Sequence, residues 1–227
     1  MIRLNKFLAE RLGMSRREAD NAIAAGKVTV DGIAAILGAR VDEKSKVCYN
    51  KKIVPFDEGF SYTYVAFHKP VGYVCSRRAQ GAAPTLYELL PAQYTELKTV
   101  GRLDKDSSGI ILLTNDGNFA FEMTHPKFYK EKVYEVELDR DLAPLHQQEI
   151  SEYGVRLDDG VSKFRVVRDE KYTDRRHLTV VLAEGRNRQI RRTFAALGYK
   201  VARLHRMQFG KYGLGDLRPG EWQEFKI

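Results

Sequence analysis

The run Gly101-Arg102-Leu103-Asp104-Lys105-Asp106-Ser107-Ser108-Gly109 sets two carboxylates among cations, directly before the apolar stretch Ile110-Ile111-Leu112-Leu113. Three chemistries use residues of these types. A calcium loop would take Asp104, Asp106, Ser108 and Gly109 as its positions one, three, five and six. Its twelfth position is Asn115, where a bidentate Glu is needed, and a strand follows instead of an exiting helix, so the fit is poor. A surface pair of Asp104 with Arg102 or Lys105 is the common and weak arrangement. A positioned carboxylate acting as nucleophile or base is the third. Spacing alone leaves the last two standing. The histidines His68, His125, His146, His177 and His205 are scattered without ligand spacing, and Cys48 and Cys75 form no Cys-x-x-Cys pair. Neither a metal, an organic cofactor nor a disulfide framework is expected.

The carboxylate run needs elements to hold it. Ile110–Thr114 reads as a buried strand, and Asn115-Asp116-Gly117 as a turn into a helical stretch through Phe119 to Met123. Lys132–Leu138 alternates, with Tyr134, Val136 and Leu138 on one face and Val133, Glu135 and Glu137 on the other, so Tyr134 is expected to face inward. Tyr64–Phe67, Gly72–Ser76 and His177–Leu182 are further predicted strands. A helix is predicted from Asn187 to Gly198, with Ile190, Phe194 and Leu197 on its core stripe and Arg188, Arg191 and Arg192 clustered away from it. Toward the N-terminus, Leu4, Phe7, Leu8 and Leu12 recur at helical spacing up to Gly13. Ser15-Arg16-Arg17-Glu18 is a capping box opening a second helix that ends at Gly26, and Lys27–Val30 before Asp31-Gly32 predicts a strand and a tight reversal. Residues 53–61, with Pro55 and Gly59, read as a linker, and 77–84 as an exposed loop that is basic at its start. The expected fold is α+β: a small helix-helix-hairpin domain over 1–55, then a domain over 61–227 on a mostly antiparallel mixed sheet flanked by helices.

The 227 residues are 43% apolar and 30% charged, enough for one sizeable core and a smaller second one. The +8 surplus is concentrated: residues 1–52 carry 11 basic and 6 acidic residues, and 184–206 carry 7 basic and 1 acidic, which leaves the remainder net acidic. Two basic zones on a nearly neutral body fit a polyanion. No apolar run of membrane-spanning length and no signal-peptide core is present, and no long basic amphipathic helix favours a lipid surface, so a cytoplasmic, nucleic-acid-binding protein without membrane attachment is expected.

The N-terminal blocks Arg3-Leu4-Asn5-Lys6-Phe7-Leu8-Ala9, Ser15-Arg16-Arg17-Glu18-Ala19-Asp20 and Gly26-Lys27-Val28-Thr29-Val30-Asp31-Gly32 resemble the S4 RNA-binding domain. Arg16 and Arg17 in a helix's first turn oppose its dipole, a placement that an anionic partner relieves. Four ordered blocks behind them resemble ribosomal-RNA pseudouridine synthases of the RsuA/RluB type: His68-Lys69-Pro70, Gly101–Gly117, Lys-x-Tyr-x-Val at Lys132–Val136, and Glu184-Gly185-Arg186-Asn187-Arg188-Gln189-Ile190-Arg191-Arg192. His68 departs from the family's more usual Asn.

The resemblance implies isomerisation of uridine to pseudouridine in ribosomal RNA by Asp104, Tyr134 and Arg191. The bond from N1 to ribose C1′ must break, the uracil must turn, and its C5 must join the same carbon. Asp104 would attack C1′ or remove the C2′ proton, Arg191 would keep Asp104 ionised as its ion-pair partner, and Tyr134 would stack on the base. RNA contacts are expected from Arg3, Lys6, Arg16, Arg17 and Lys27, and from Arg102, Arg186, Arg188 and Arg192. A monomer is expected. The rival expectations are an rRNA-binding assembly factor without turnover and a hydrolase that releases free uracil.

Overall fold

The computed structural model describes residues 1–56, 61–77 and 81–227; parts of the expected 53–61 linker and of the 77–84 loop lie outside the described residues. The chain divides into two compact units, residues 1–63 with 115–117, and residues 64–114 with 118–227.

In the first unit, helices Leu4–Arg11 and Arg16–Ala24 form where the apolar spacing and the capping box predict them. Ser15 Oγ accepts from the Glu18 N–H while the Glu18 carboxylate accepts from the Ser15 N–H, so two of the helix's orphan donors are satisfied reciprocally. Asp31 (φ 51°) and Gly32 (φ 84°) turn Val28–Val30 back onto Ile33–Ala34, as a two-residue hairpin with both central residues at positive φ requires. The hairpin belongs to a four-stranded sheet completed by Val47–Tyr49 and Lys52–Ile53, which the sequence reading did not include. Leu4, Phe7, Leu8, Ala19, Ile23, Val28, Val41 and Val47 make its core.

The second unit is built on a nine-stranded sheet. Its main path runs Arg165–Arg168, His177–Leu182, Lys132–Leu138, Val201–Phe209, Ser108–Thr114, Tyr64–Lys69, Trp222–Glu224. Every pairing is antiparallel except that of Val201–Phe209 with Ser108–Thr114, which is parallel. The expected mostly antiparallel mixed sheet is present. Ser108–Thr114 is buried along its whole length. Its four residues Ile110 to Leu113 are each fully buried, a gross gain of about 6–12 kcal/mol that fixes this strand near the centre of the sheet.

Gly72–Ser76 does not form the predicted strand. Among the described residues its one bridge pairs Val74 with Thr85 through backbone bonds to Pro84 and Leu86, while the Gly72 N–H and the Cys75 thiol go to the Asp104 loop. Gly109 is where the parallel pair closes. Its φ is +111°, and a Cβ there would lie 2.2 Å from the Arg206 carbonyl oxygen, so only glycine lets the two backbones approach. Among the described residues, no helix is long and apolar enough to cross a membrane.

Candidate active site

Asp104 sits in the loop between strands Lys98–Val100 and Ser108–Thr114, and four contacts fix that loop from one side. Lys69, fully buried at the end of its strand, donates from Nζ to the Ser107 carbonyl at 2.7 Å and to the Pro70 carbonyl at 3.0 Å. The Gly72 N–H donates to the Lys105 carbonyl at 2.7 Å. Cys75 and Leu103 bond reciprocally, thiol to carbonyl at 3.2 Å and N–H to Sγ at 3.3 Å. The turn is closed by the Ser107 N–H on the Asp104 carbonyl at 3.1 Å. The His68-Lys69-Pro70 block thus acts by holding the carboxylate loop. Burial lowers the Lys69 pKa to about 8, with the charges of Asp104 and Asp106 acting in the opposite direction.

From the other side come the arginines of Glu184–Arg192, in an arrangement unlike the expected one. Asp104 is ion-paired with Arg188, at 3.3 Å, and not with Arg191. Arg188 also grips both oxygens of Asp106 at 3.1 Å each. Arg191 spends its guanidinium on the Val201 carbonyl (2.8 Å), the Asp106 carbonyl (2.9 Å) and the Asp106 carboxylate (3.4 Å). Helical spacing would place Arg188 and Arg191 on one face only if both were helical. The helix begins at Gln189, and Arg188 lies before it at φ 45°, ψ 32°, which swings its side chain onto the Asp104 loop. Burial alone would raise the Asp106 pKa, but the hydrogen bonds from Arg188 and the charges of Arg191 and Arg188 hold it below the usual carboxylate range.

Arg186 and Arg192, expected to be available to RNA, are tied to an acidic turn. Arg186 donates to Asp159 at 2.8 Å and to the carbonyls of Asp159, Gly160 and Val161; Arg192 pairs with Asp158 at 2.5 Å and Asp159 at 2.6 Å. The turn between Val155–Leu157 and Gly160–Ser162 presents those carboxylates, a partner hidden in sequence by about 30 intervening positions. Arg3, Arg16, Arg17 and Lys27 are exposed on the first unit, whereas Lys6 is half-buried 3.8 Å from Glu10.

Asp104, Tyr134, Arg102, Arg186 and Arg188 line one cavity of about 490 Å³, together with Leu182, Leu204 and Phe209. Tyr134 is 8% exposed and faces inward, as the alternation requires. Arg191 lies behind this lining, bonded to the loop that carries Asp104. The cavity has the size and mixed lining of a site for one small ligand such as a nucleotide.

Two cations on its wall received no role from sequence. Lys132 is buried, donating to the Ala183 carbonyl at 3.0 Å and the Lys130 carbonyl at 3.2 Å, and its pKa is lowered to about 8 by burial and by Arg206. Arg206 is 2% exposed and donates from Nε to the Ile110 carbonyl at 2.8 Å. A signal existed: Lys132 alternates in phase with Tyr134 and Val136, and Arg206 with Leu204, so each is a cation on a core-facing phase.

A model of the RNA pseudouridylate synthase family matches residues 63–196, which contain Asp104, Tyr134 and the arginine block, and a model of the S4 domain matches residues 2–47. The chain belongs to the RNA pseudouridylate synthase family. It is 35% identical over 225 residues to ribosomal small subunit pseudouridine synthase A of Pasteurella multocida (strain Pm70), covering 98% of this chain and 95% of the relative. Its identity to ribosomal large subunit pseudouridine synthase B of Escherichia coli (strain K12) is 33% over 235 residues, covering 99% and 79%. A crystal structure of a pseudouridylate synthase matches with a TM-score of 0.69 at 29% identity, covering 100% of this chain and 96% of the other. The chain is a pseudouridine synthase carrying an S4 domain, and the mixed sheet is that family's fold.

Proposed function

We propose that the protein isomerises one defined uridine of ribosomal RNA to pseudouridine, with Asp104 as the reacting carboxylate and the unit over residues 1–55 as RNA anchor. The observation that carries this reading is the presence of Asp104 and Tyr134 on the wall of one nucleotide-sized cavity, with a guanidinium on the carboxylate. The target uridine leaves its stack to enter the cavity. Tyr134 supplies a flat face for the uracil. Arg188 pairs with the Asp104 carboxylate and fixes its orientation, and Arg191 fixes Asp106 and the loop. An oxygen of Asp104 then attacks C1′, or takes the C2′ proton, as the bond to N1 breaks. Exposed Arg102 at the cavity, and Arg3, Arg16, Arg17 and Lys27 on the first unit, meet phosphates.

The test is Asp104→Asn, which removes charge and keeps shape. Pseudouridine formation in rRNA from cells lacking this gene should vanish, with RNA affinity within about three-fold of wild type, a difference of roughly 0.65 kcal/mol. Substantial residual turnover would remove Asp104 from the chemistry. Wild-type protein that binds this RNA without converting it would favour the assembly-factor reading.

A further inference from the structure

Among the described residues Arg206 is the largest fully buried side chain, yet it lines the cavity, and its Nη2 has no hydrogen-bond partner there. Among the described residues no carboxylate pairs with it: the ion pairs in the surroundings belong to Arg186 with Asp159 and Glu184, and to Arg188 with Asp104 and Asp106. Lys132 adds a second buried cation. Its Nζ lies 5.1 Å and the Arg206 guanidinium 4.9 Å from the centre of the Phe209 ring, so two like charges share one apolar wall. A desolvated guanidinium with an orphan donor is a costly arrangement for a fold to keep unless an acceptor arrives. The backbone directs it there. Tyr134 pairs with Arg206 across neighbouring strands, and a bulge that skips Met207 separates this pair from Val133–Gln208. Paired positions share a face, so the ring read as the uracil's platform and the guanidinium stand side by side.

Resting on the pseudouridine synthase reading above, we propose that Arg206 is a further catalytic residue, whose guanidinium accepts the negative charge of the departing uracil through a hydrogen bond to one of its carbonyl oxygens. When N1–C1′ breaks, the bonding pair leaves with the base and spreads over N1, O2 and O4. At the same moment C1′ gains a bond to an oxygen of Asp104, or C2′ loses its proton to Asp104 and the C2′–H pair becomes a second bond between C1′ and C2′. Arg206 transfers no proton; it donates a hydrogen bond that strengthens as this charge develops, and Lys132 adds to the positive potential. A phosphate is the poorer occupant. This wall is formed by the buried side chains of Tyr134, Leu204 and Phe209, whereas Arg102, on the cavity rim, is exposed to meet phosphodiesters.

The test compares initial rates of wild type, Arg206→Ala, Arg206→Gln and Arg206→Lys on rRNA from cells lacking this gene, with melting curves on each. An interaction made only in the transition state lowers kcat and kcat/KM together, by about 100-fold or more for Arg206→Ala, while RNA affinity and its salt slope stay within about two-fold. Millimolar guanidinium chloride should restore part of kcat in Arg206→Ala by filling the vacated space, a rescue that a merely structural role would not give. Arg206→Lys, the variant most apt to fold, should lose at least about ten-fold in kcat because its ammonium lacks the planar fork. A raised KM with intact kcat and a flatter salt slope would make Arg206 a phosphate contact and overturn the proposal. So would wild-type kcat in the Lys variant, or a folded Ala variant deaf to guanidinium. A wild type that forms no pseudouridine would instead fail the reading on which the proposal rests, and the proposal would fall with it.

Discussion

Substituting Gly109 by Ala tests the geometry that ties the Asp104 loop to the sheet. The new Cβ would stand 2.2 Å from the Arg206 carbonyl oxygen and 2.5 Å from its nitrogen, where ordinary contact begins at 3.4 Å. Both atoms are backbone, so no rotamer change relieves the overlap, and the two strands must part by about 1.2 Å. Overpacking of this kind costs about 1–3 kcal/mol, and a non-glycine residue at φ +111° about 1–3 more, giving roughly 4 kcal/mol. With a urea m-value of about 2–3 kcal/mol/M, the unfolding midpoint should fall by about 1–2 M. Trp222, the only tryptophan, lies on the edge strand of the same sheet against Tyr94, so its fluorescence follows this unit. Gly213→Ala is the control: Gly213 lies outside the positive-φ region with nothing within 4 Å of its Cβ position, and its midpoint should hold or rise slightly. A Gly109→Ala midpoint within about 0.3 M of wild type would refute the close-approach argument.

Two further outcomes follow from other parts of the molecule. Replacing Arg16 and Arg17 with Ala should weaken RNA binding and reduce the slope of log K against log salt by up to about 1.4–1.8, as read from titrations at several ionic strengths; an unchanged slope would dismiss the first unit as an anchor. His205 is 6% exposed, bonded to Ser108 at 2.8 Å, 5.2 Å from the ring of His68 and flanked by Arg203 and Glu135; burial and its cationic neighbour lower its pKa to about 4. Below about pH 6.5 the unfolded chain takes up a proton that the fold refuses, so stability declines as pH drops toward 4, by about 2 kcal/mol at pH 5. Melting curves at pH 5 and 8 should show a smaller loss for His205→Asn than for wild type, and equal losses would place the acid sensitivity elsewhere.

Several features were legible in the sequence because neighbours along the chain decide them. The Ser15–Glu18 capping box, the Asp31-Gly32 reversal and the inward Tyr134 each depend on groups within a few residues, so spacing and residue type suffice. The Gly72–Ser76 strand failed on the same ground: local pattern favoured extension, but the Gly72 N–H and the Cys75 thiol were needed by Lys105 and Leu103, roughly 30 residues on. The family resemblance implied Arg191 as the ion-pair partner of Asp104; local pattern held no sign that Arg188 would lie outside the helix in a left-handed conformation and make that contact.

The order of the motif blocks, the basic zones and the alternation of each strand belong to the sequence itself, since burial period and charge are properties of the chain read in a line. The choice of partner was made only on folding. Which guanidinium meets Asp104 depends on one residue at positive φ, which acidic turn ties up Arg186 and Arg192 on the hairpin of Val155–Leu157 with Gly160–Ser162, and why Arg206 stands beside Tyr134 on one antiparallel pairing and its bulge. The Asp104–Arg188 pair joins residues 84 positions apart, and Coulomb and hydrogen-bond energies fall off over a few ångströms of space, not of sequence.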